Sequence, residues 1–124
     1  MFEISVEESF AAGHSLRNYR GKCEKVHGHN YKVRVTLEGE ALDAAGLLVD
    51  FTELKRVLHS AIGRLDHEFL NDIPPFDQLN PSAENMAKYF HDEISKGLTD
   101  QTGVRVASVR IWETDTSIAT YRAG

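Results

Sequence analysis

One stretch of twelve residues constrains the fold more than any other, because its side chains alternate strictly between two types. Between His27 and Glu38 the odd positions are imidazole or apolar and the even positions, apart from Gly28, are polar, in the order His-Gly-His-Asn-Tyr-Lys-Val-Arg-Val-Thr-Leu-Glu. Successive side chains of a β-strand point to opposite faces of its sheet. The pattern therefore predicts a half-buried strand that carries His27 and His29 on the same face as its apolar residues.

This alternating pair of histidines is open to two interpretations. Two imidazoles on one face of one strand can reach a common point, and Gly28 between them has no side chain to crowd it. The first interpretation is a pair of partly buried, hydrogen-bonded histidines, which is the usual fate of a lone core histidine. The second is a metal site, which the alternation and the nearby Cys23 favour, since imidazole and thiolate are the usual ligands of zinc.

Length and charge limit the classes of protein to which the chain can belong. Its 124 residues suit one domain, residues 1–124, with a sizeable core. The net charge of −5 argues against a general nucleic-acid-binding protein, which needs a basic surface. We expect no membrane segment and no signal peptide, because no apolar run approaches the roughly 20 residues of a membrane helix. A single cysteine forms no internal disulfide, which favours a cytoplasmic location.

The amino-terminal residues predict a second strand that supplies a third imidazole. Phe2, Ile4 and Val6 alternate with polar residues, and Phe10, Ala12 and His14 keep the same parity further on. His14 is therefore expected at the end of this strand, or past a bulge in it, on the inward face. Together with His27 and His29 it would make a three-histidine metal site.

Two helices follow in the sequence. Asp50 is a favourable N-cap with Glu53 in capping-box register, and Gly63 is placed to end the first helix. The second helix opens at Pro81 or Ser82. Apolar side chains recur at helical spacing in both segments: Phe51, Leu54, Val57, Leu58, Ala61 and Ile62 in the first, and Ala83, Met86, Ala87, Phe90, Ile94 and Leu98 in the second.

Two further strands complete the predicted architecture. Residues 104–113 alternate so that Ala107, Val109, Ile111 and Glu113 share one face, and residues 118–122 form a short last strand. A carboxylate that ends an apolar row needs a strong partner to stay charged. The element order β-β-α-α-β-β predicts an α+β fold: a four-stranded antiparallel sheet with both helices on one face.

The remaining polar residues suggest a catalytic site, although alternatives stay open. Zinc held by three imidazoles keeps an open fourth position, as catalytic sites do, whereas Cys23 as a fourth ligand would make a closed structural site in a binding module. An unligated Cys23 beside the metal could instead act as a base. The adjacent Asp66 and His67 could form an oriented acid–base pair. The basic loop of residues 15–26, with Arg17 and Lys22, is either solvated surface or an anion site.

Taken together, six motifs resemble those of one enzyme family, the 6-pyruvoyl-tetrahydropterin and 6-carboxy-tetrahydropterin synthases. The motifs span nearly the whole chain: Phe10-Ala-Ala-Gly-His14, Cys23-x-x-x-His27-Gly-His29, Val49-Asp-Phe51, Leu65-Asp-His-x-x-Leu-Asn71, Pro81-Ser-Ala-Glu-Asn85 and Trp112-Glu-Thr114. The spacing of Cys23 from His27 resembles the bacterial 6-carboxy-tetrahydropterin synthases of the queuosine pathway more than the animal pyruvoyl-forming enzymes. Ser82 stands where the family usually has threonine.

The resemblance implies a fold, a reaction and a role for each candidate residue. The fold would be the tunnelling fold, in which sheets of three subunits join in a barrel and two trimers stack into a homohexamer. The substrate would be 7,8-dihydroneopterin triphosphate, converted to 6-carboxy-5,6,7,8-tetrahydropterin with loss of acetaldehyde and triphosphate. The implied roles are zinc binding by His14, His27 and His29, proton abstraction by Cys23, proton relay by Asp66 and His67 from a neighbouring subunit, pterin anchoring by Glu113, and further substrate contacts by Glu84, Arg17 and Lys22.

Overall fold

The computed structural model describes all residues from 1 to 124 and is built around one five-stranded sheet. The strands are β1 (Phe2–His14), β2 (His27–Gly39), β3 (Glu68–Phe69), β4 (Val104–Thr114) and β5 (Ser117–Arg122), and the helices are α1 (Phe51–Gly63) and α2 (Ala83–Gly97). The order across the sheet is β3-β1-β2-β4-β5. The α+β class and the order of the two long strands, the two helices and the final two strands are confirmed.

The two longest strands form an uninterrupted antiparallel ribbon. All thirteen residues of β1 pair with β2, from Phe2 opposite Gly39 to His14 opposite His27. Because the register has no bulge, the parity of β1 holds along its whole length, as the sequence predicted. Phe10 and Tyr31 lie opposite each other on the apolar face, and the candidate metal ligands lie at one end of the ribbon.

The predicted count of four strands is wrong, and the predicted wholly antiparallel sheet is wrong with it. Strand β3 pairs in parallel with β1, with Glu68 beside Ala12 and Phe69 beside Gly13. Two residues are too short to show any alternation, so sequence patterning could not detect the strand. A 3₁₀ turn, Leu70–Asp72, follows it directly.

Strand β4 departs from strict alternation at Ala107. The register with β2 shifts there: Ser108 lies opposite Thr36, whereas Val106 lies opposite Leu37. One residue of β4 is thus left over, as in a β-bulge, and Val106 joins Val109 on the buried face. The prediction that Ala107 shares the inward row is wrong for this reason, and Ala107 is only half-buried.

Both helices begin at polar caps. The carboxylate of Asp50 accepts a hydrogen bond from the amide of Thr52, and the hydroxyl of Ser82 accepts one from the amide of Asn85. Ser82 is thus the cap of α2, and Pro81 precedes the helix. The carboxylate of Glu53 bonds the guanidinium of Arg56, with distances of 2.6 and 3.0 Å, so the capping prediction holds for Asp50 alone.

The two helices cover one face of the sheet and enclose a single hydrophobic cluster. The fully buried side chains include Tyr31, Leu37, Leu54, Leu58, Leu65, Leu70, Phe76, Met86, Phe90, Ile94 and Ile111. This packing holds the sheet rigid up to the ribbon end that carries the three histidines. Neither helix has the length and apolar character needed to cross a membrane.

Candidate active site

Three imidazoles converge where β1 and β2 end. One side-chain nitrogen from each of His14, His27 and His29 lies within 4.8 Å of the other two. The strand register explains the meeting, because His14 lies opposite His27 and His29 is two residues further along the same face of β2. His14 is 1% exposed, and the other two are partly buried. The three residues could therefore hold a metal ion.

The hydrogen bonds around the imidazoles decide which nitrogen faces the centre. Nδ1 of His14 lies 2.7 Å from the carbonyl oxygen of Pro81, and Nδ1 of His27 lies 2.9 Å from that of Lys25. A carbonyl only accepts, so both Nδ1 atoms carry the proton and both Nε2 atoms of the neutral rings are left as lone pairs. These two Nε2 atoms lie 3.0 Å apart, and the buried Nε2 of His29 has no partner. Converging lone pairs with outer hydrogen bonds to carbonyls are the arrangement of metal-binding histidines.

The carboxylate of Glu113 adds a negative charge to this cluster. Its Oε1 lies 3.2 Å from Nε2 of His14 and 3.4 Å from Nε2 of His29. Burial lowers the pKa of His29, while the charge of Glu113 opposes that shift and the other two imidazoles add to it. The centre thus combines nitrogen acceptors with a nearby negative charge, surroundings that favour a divalent cation.

Two side chains beside the histidines were not singled out by the sequence analysis. Tyr31 follows His29 on the same face, and its buried hydroxyl has no hydrogen-bond partner. Burial raises the pKa of this hydroxyl, and the charge of Glu113 adds to the shift. Glu24 approaches from the loop before β2, with Oε1 3.9 Å from Nδ1 of His27. The alternation of β2 could have predicted that Tyr31 lies beside the histidines, whereas no pattern in the sequence predicts that Glu24 does.

Cys23 lies apart from the ligand cluster. Its thiol is free and exposed on the loop that joins β1 to β2, and it does not belong to the group of converging ligand atoms. The next residue, Glu24, is tied to Leu16 through its amide and its carboxylate, at 2.9 and 3.1 Å. The loop thus holds Glu24, the neighbour of Cys23, beside the residues that follow β1.

Asp66 and His67 form a pair at the edge of the sheet, where the amide of His67 donates to the carbonyl of Ala11 on β1. Oδ1 of Asp66 accepts from the amide of Ala11 and lies 3.0 Å from Nδ1 of His67. The hydrogen bond from Ala11 lowers the pKa of Asp66, which keeps this carboxylate charged. His67 has a φ of 62°, unusual for a residue other than glycine, and its side chain is 82% exposed.

A groove of about 410 Å³ contains this exposed imidazole. Its lining includes three successive pairs of the ribbon, Ala11–Asn30, Ala12–His29 and Gly13–Gly28, so it reaches a histidine of the cluster. The groove thus lies against the end of the ribbon that carries the histidines, beside the short edge strand β3. The structure does not bring His67 into contact with the histidine cluster of its own chain.

The candidate phosphate and substrate contacts differ in their surroundings. The guanidinium of Arg17 donates to the carbonyls of Phe76, Asn71 and Leu79, at 2.8, 3.3 and 3.4 Å. Lys22 is exposed on the β1–β2 loop, and Glu84 is exposed in the first turn of α2. Phosphate binding by Arg17 stays a prediction, but the structure already gives its side chain a role in joining two loops.

Comparison with known proteins identifies the family. The family described as 6-pyruvoyl tetrahydropterin synthase matches residues 3–124. The chain belongs to this family. The match covers both long strands, both helices and the site that they form.

Individual members of the family are similar to the chain over most of its length. It is 36% identical to the 6-carboxy-5,6,7,8-tetrahydropterin synthase of Bacillus subtilis, over 98% of this chain and 85% of that protein. It is 37% identical to the human 6-pyruvoyl tetrahydrobiopterin synthase, over 97% of this chain and 90% of that one. The structure of Caenorhabditis elegans 6-pyruvoyl tetrahydropterin synthase superposes with a TM-score of 0.84 at 25% identity, covering 99% of this chain and 96% of that one.

Proposed function

We propose that this protein is a zinc-dependent 6-carboxy-5,6,7,8-tetrahydropterin synthase. The single domain of residues 1–124 would convert 7,8-dihydroneopterin triphosphate and water to 6-carboxytetrahydropterin, acetaldehyde and triphosphate, a step of queuosine biosynthesis in the cytoplasm. The observation that carries the proposal is the convergence of one nitrogen from each of three histidines, beside the carboxylate of Glu113, in a family of pterin synthases. Relatives named as 6-carboxytetrahydropterin synthases, at 29 to 36% identity, support this product.

His14, His27 and His29 are the residues that would hold the zinc. Zinc with three imidazole ligands supplies an open position that orients the hydroxyls of a substrate side chain and makes them more acidic. The chain's contribution is to present the Nε2 lone pairs of two of these rings, through Nδ1 bonds from His14 to Pro81 and from His27 to Lys25. Because these bonds fix the ring orientations before any ligand arrives, the site is pre-organised.

The other site residues divide the remaining work. Cys23 would remove a proton from the substrate side chain, and the exposed thiol is accessible for this. Glu113 would hold the amino-pyrimidine edge of the pterin through two charge-assisted hydrogen bonds. Lys22 and Arg17 would attract the triphosphate, and Glu84 would contact the substrate from the start of α2. The three carbons of the substrate's side chain are shared between two products: one becomes the carboxyl carbon of the pterin, and two become acetaldehyde.

We assign Asp66 and His67 to the site of a neighbouring subunit. Two observations support this: the exposed imidazole of His67 bonds Asp66 and not the three histidines of its own chain, and both edges of the sheet are largely open. Strand β5 has a partner on one side only, and β3 covers β1 only at Ala12 and Gly13. Open edges favour pairing with another copy, so we propose a trimeric barrel stacked into a homohexamer. Sedimentation equilibrium tests it, and a monomer at micromolar concentration would contradict it.

Product analysis tests the proposed reaction. The purified protein is loaded with zinc and incubated with dihydroneopterin triphosphate, and the pterin, the aldehyde and the phosphate product are identified. We expect 6-carboxytetrahydropterin with an equal amount of acetaldehyde. The human relative favours a second candidate, 6-pyruvoyl-tetrahydropterin formation, which would release triphosphate without acetaldehyde.

A variant of the proposed base separates an enzyme from a binding module. Cys23→Ala should keep its zinc and its affinity for pterin, because neither is assigned to the thiol. Turnover should fall by roughly two to four orders of magnitude, the usual contribution of a positioned base. Full turnover of this variant would refute the role of Cys23, and loss of zinc would make the thiol a ligand.

A further inference from the structure

The strand β1 does not lose its hydrogen-bond partners where the sheet ends. Residues 15–17 continue the chain beyond His14, and two asparagine side chains take the place of a neighbouring strand. Asn71 accepts from the amide of Ser15 at 3.0 Å and donates to its carbonyl at 2.7 Å. Asn80 does the same for Arg17, at 2.7 and 2.8 Å. Each side-chain amide thus imitates the exchange of two bonds that occurs between paired strand residues.

The opposite edge of this extension is held as well. Glu24 donates its backbone amide to the carbonyl of Leu16 at 2.9 Å, and its carboxylate accepts from the amide of Leu16 at 3.1 Å. The hydroxyl of Ser15 also donates to the carbonyl of Glu24. We call the side chains of Asn71, Asn80 and Glu24, with the three residues they hold, the amide clamp.

The amide clamp is connected directly to the metal-site histidine. Ser15, which Asn71 holds, follows His14 in the chain. Pro81, which follows Asn80, accepts the Nδ1 proton of His14 at 2.7 Å. The side-chain amide of Asn85 donates to the carbonyl of Asn80 at 2.9 Å, which ties this segment to α2. The two asparagines therefore position both groups that hold the imidazole of His14. Asn71 holds the backbone next to His14, and Asn80 holds the segment whose Pro81 carbonyl accepts from Nδ1.

Arg17 strengthens the same connection from the other direction. Its guanidinium donates to three carbonyls of the segment that carries the asparagines, those of Asn71, Phe76 and Leu79. This leaves two loops of the chain, residues 15–24 and 71–81, locked to each other by side chains that are far apart in sequence. The locking also fixes Glu24, the neighbour of Cys23, relative to His14.

We propose that Asn71 and Asn80 are positioning residues that set the metal affinity of the site through His14. The proposal rests on zinc binding by the three histidines, as in the proposed function. Asn71→Asp and Asn80→Asp keep the shape and the accepting oxygen but replace the donating nitrogen by a second oxygen, which faces the carbonyl of Ser15 or Arg17. The bonds that orient a metal ligand typically change metal affinity by roughly 10- to 100-fold when they are lost. Each variant should therefore bind zinc about 10- to 100-fold more weakly.

The test is a zinc titration in competition with a chromophoric chelator, with thermal unfolding recorded in parallel. Gln78→Glu is the matched control, because it makes the same amide-to-carboxylate change at an exposed position of the same segment. We expect the control to bind zinc as the wild type does. Absorption of the cobalt-substituted protein adds a readout of the coordination, and it should change in the asparagine variants only. A folded Asn80→Asp variant with wild-type zinc affinity and an unchanged cobalt spectrum would overturn the proposal.

Amide hydrogen exchange of the wild-type protein provides a test that needs no variant. Ser15 and Arg17 lie beyond the last residue of β1, yet the clamp predicts protection of their amides comparable to that of β1 itself. Exchange at the rate of open loop amides would overturn the clamp, whether or not the variants fold. A wild-type protein without zinc affinity would overturn the proposed metal site together with this inference. Zinc binding that is equal in the wild type and both asparagine variants would overturn the inference alone.

Discussion

Replacing Gly97 by alanine has two opposite effects on the free energy of unfolding, one through the flexibility of the unfolded chain and one through the contact between α2 and α1. Gly97 is the last residue of α2, and a Cβ placed there would lie 2.6 Å from Cγ1 of Val57 on α1. Val57 has little freedom to withdraw, because a β-branched side chain in a helix is restricted to one main rotamer. Alanine would contribute about 0.5–1 kcal/mol through the reduced flexibility of the unfolded chain. Overpacking of this kind costs about 1–3 kcal/mol.

The cost exceeds the gain, so we expect Gly97→Ala to lower the free energy of unfolding by about 0.5–2 kcal/mol. Gly63 is the matched control: it ends α1 as Gly97 ends α2, but a Cβ there would meet no atom within 4 Å. Gly63→Ala should be neutral or stabilising by up to about 1 kcal/mol. In a Val57→Ala background, which removes the contacting methyl groups, Gly97→Ala should lose its penalty.

Urea unfolding at one fixed protein concentration measures all four variants, because association would otherwise shift the apparent stability. The slope of the unfolding free energy against urea should stay constant across the set. If Gly97→Ala proves as stable as Gly63→Ala, the steric argument is refuted and the helix contact is looser than the structure shows.

Three further predictions concern the site and its surroundings. Glu113→Gln should weaken pterin binding by about 10- to 100-fold, since charge-assisted hydrogen bonds contribute roughly 1.5–3 kcal/mol, and calorimetry measures this. Removing zinc with a chelator should lower the melting temperature, and zinc at 100 times its dissociation constant should restore about 2.7 kcal/mol. The bond to Glu8 raises the pKa of His59 above 6.5, so its stabilising effect is complete below pH 6.5 and disappears as pH rises through the raised pKa. An NMR titration of Glu8→Gln should show the pKa of His59 back near 6.5.

Short-range periodicity accounts for the parts of this molecule that the sequence predicts. The parity of β1 and β2 places Phe10, Tyr31 and the three histidines on one face, because no bulge interrupts the ribbon. The apolar spacing and the caps at Asp50 and Ser82 define both helices for the same reason. In each case the information is contained within a few neighbouring residues.

What the sequence does not predict depends on contacts between distant residues. The bulge at Ala107 is determined by the pairing of β4 with Thr36 and Leu37 of β2. The sequence of β4 alone is compatible with an apolar inward face with or without the bulge. Asn71 and Asn80 meet residues 56 and 63 positions away, and neither belongs to a periodic segment. The contact of Glu113 with the histidines likewise requires β4 to lie beside β2, which alternation within one strand does not reveal.

The exposed imidazole of His67, which bonds Asp66 and not the histidines of its own chain, has a consequence for genetics under the proposed assembly. A site that takes Cys23 from one subunit and His67 from the next is inactivated by the loss of either, but the two losses affect different subunits. Co-assembly of equal amounts of Cys23→Ala and His67→Ala chains would restore both residues in about one quarter of the sites, if neighbours associate at random. Two defective alleles would thus complement each other within one oligomer, whereas either allele alone would be inactive.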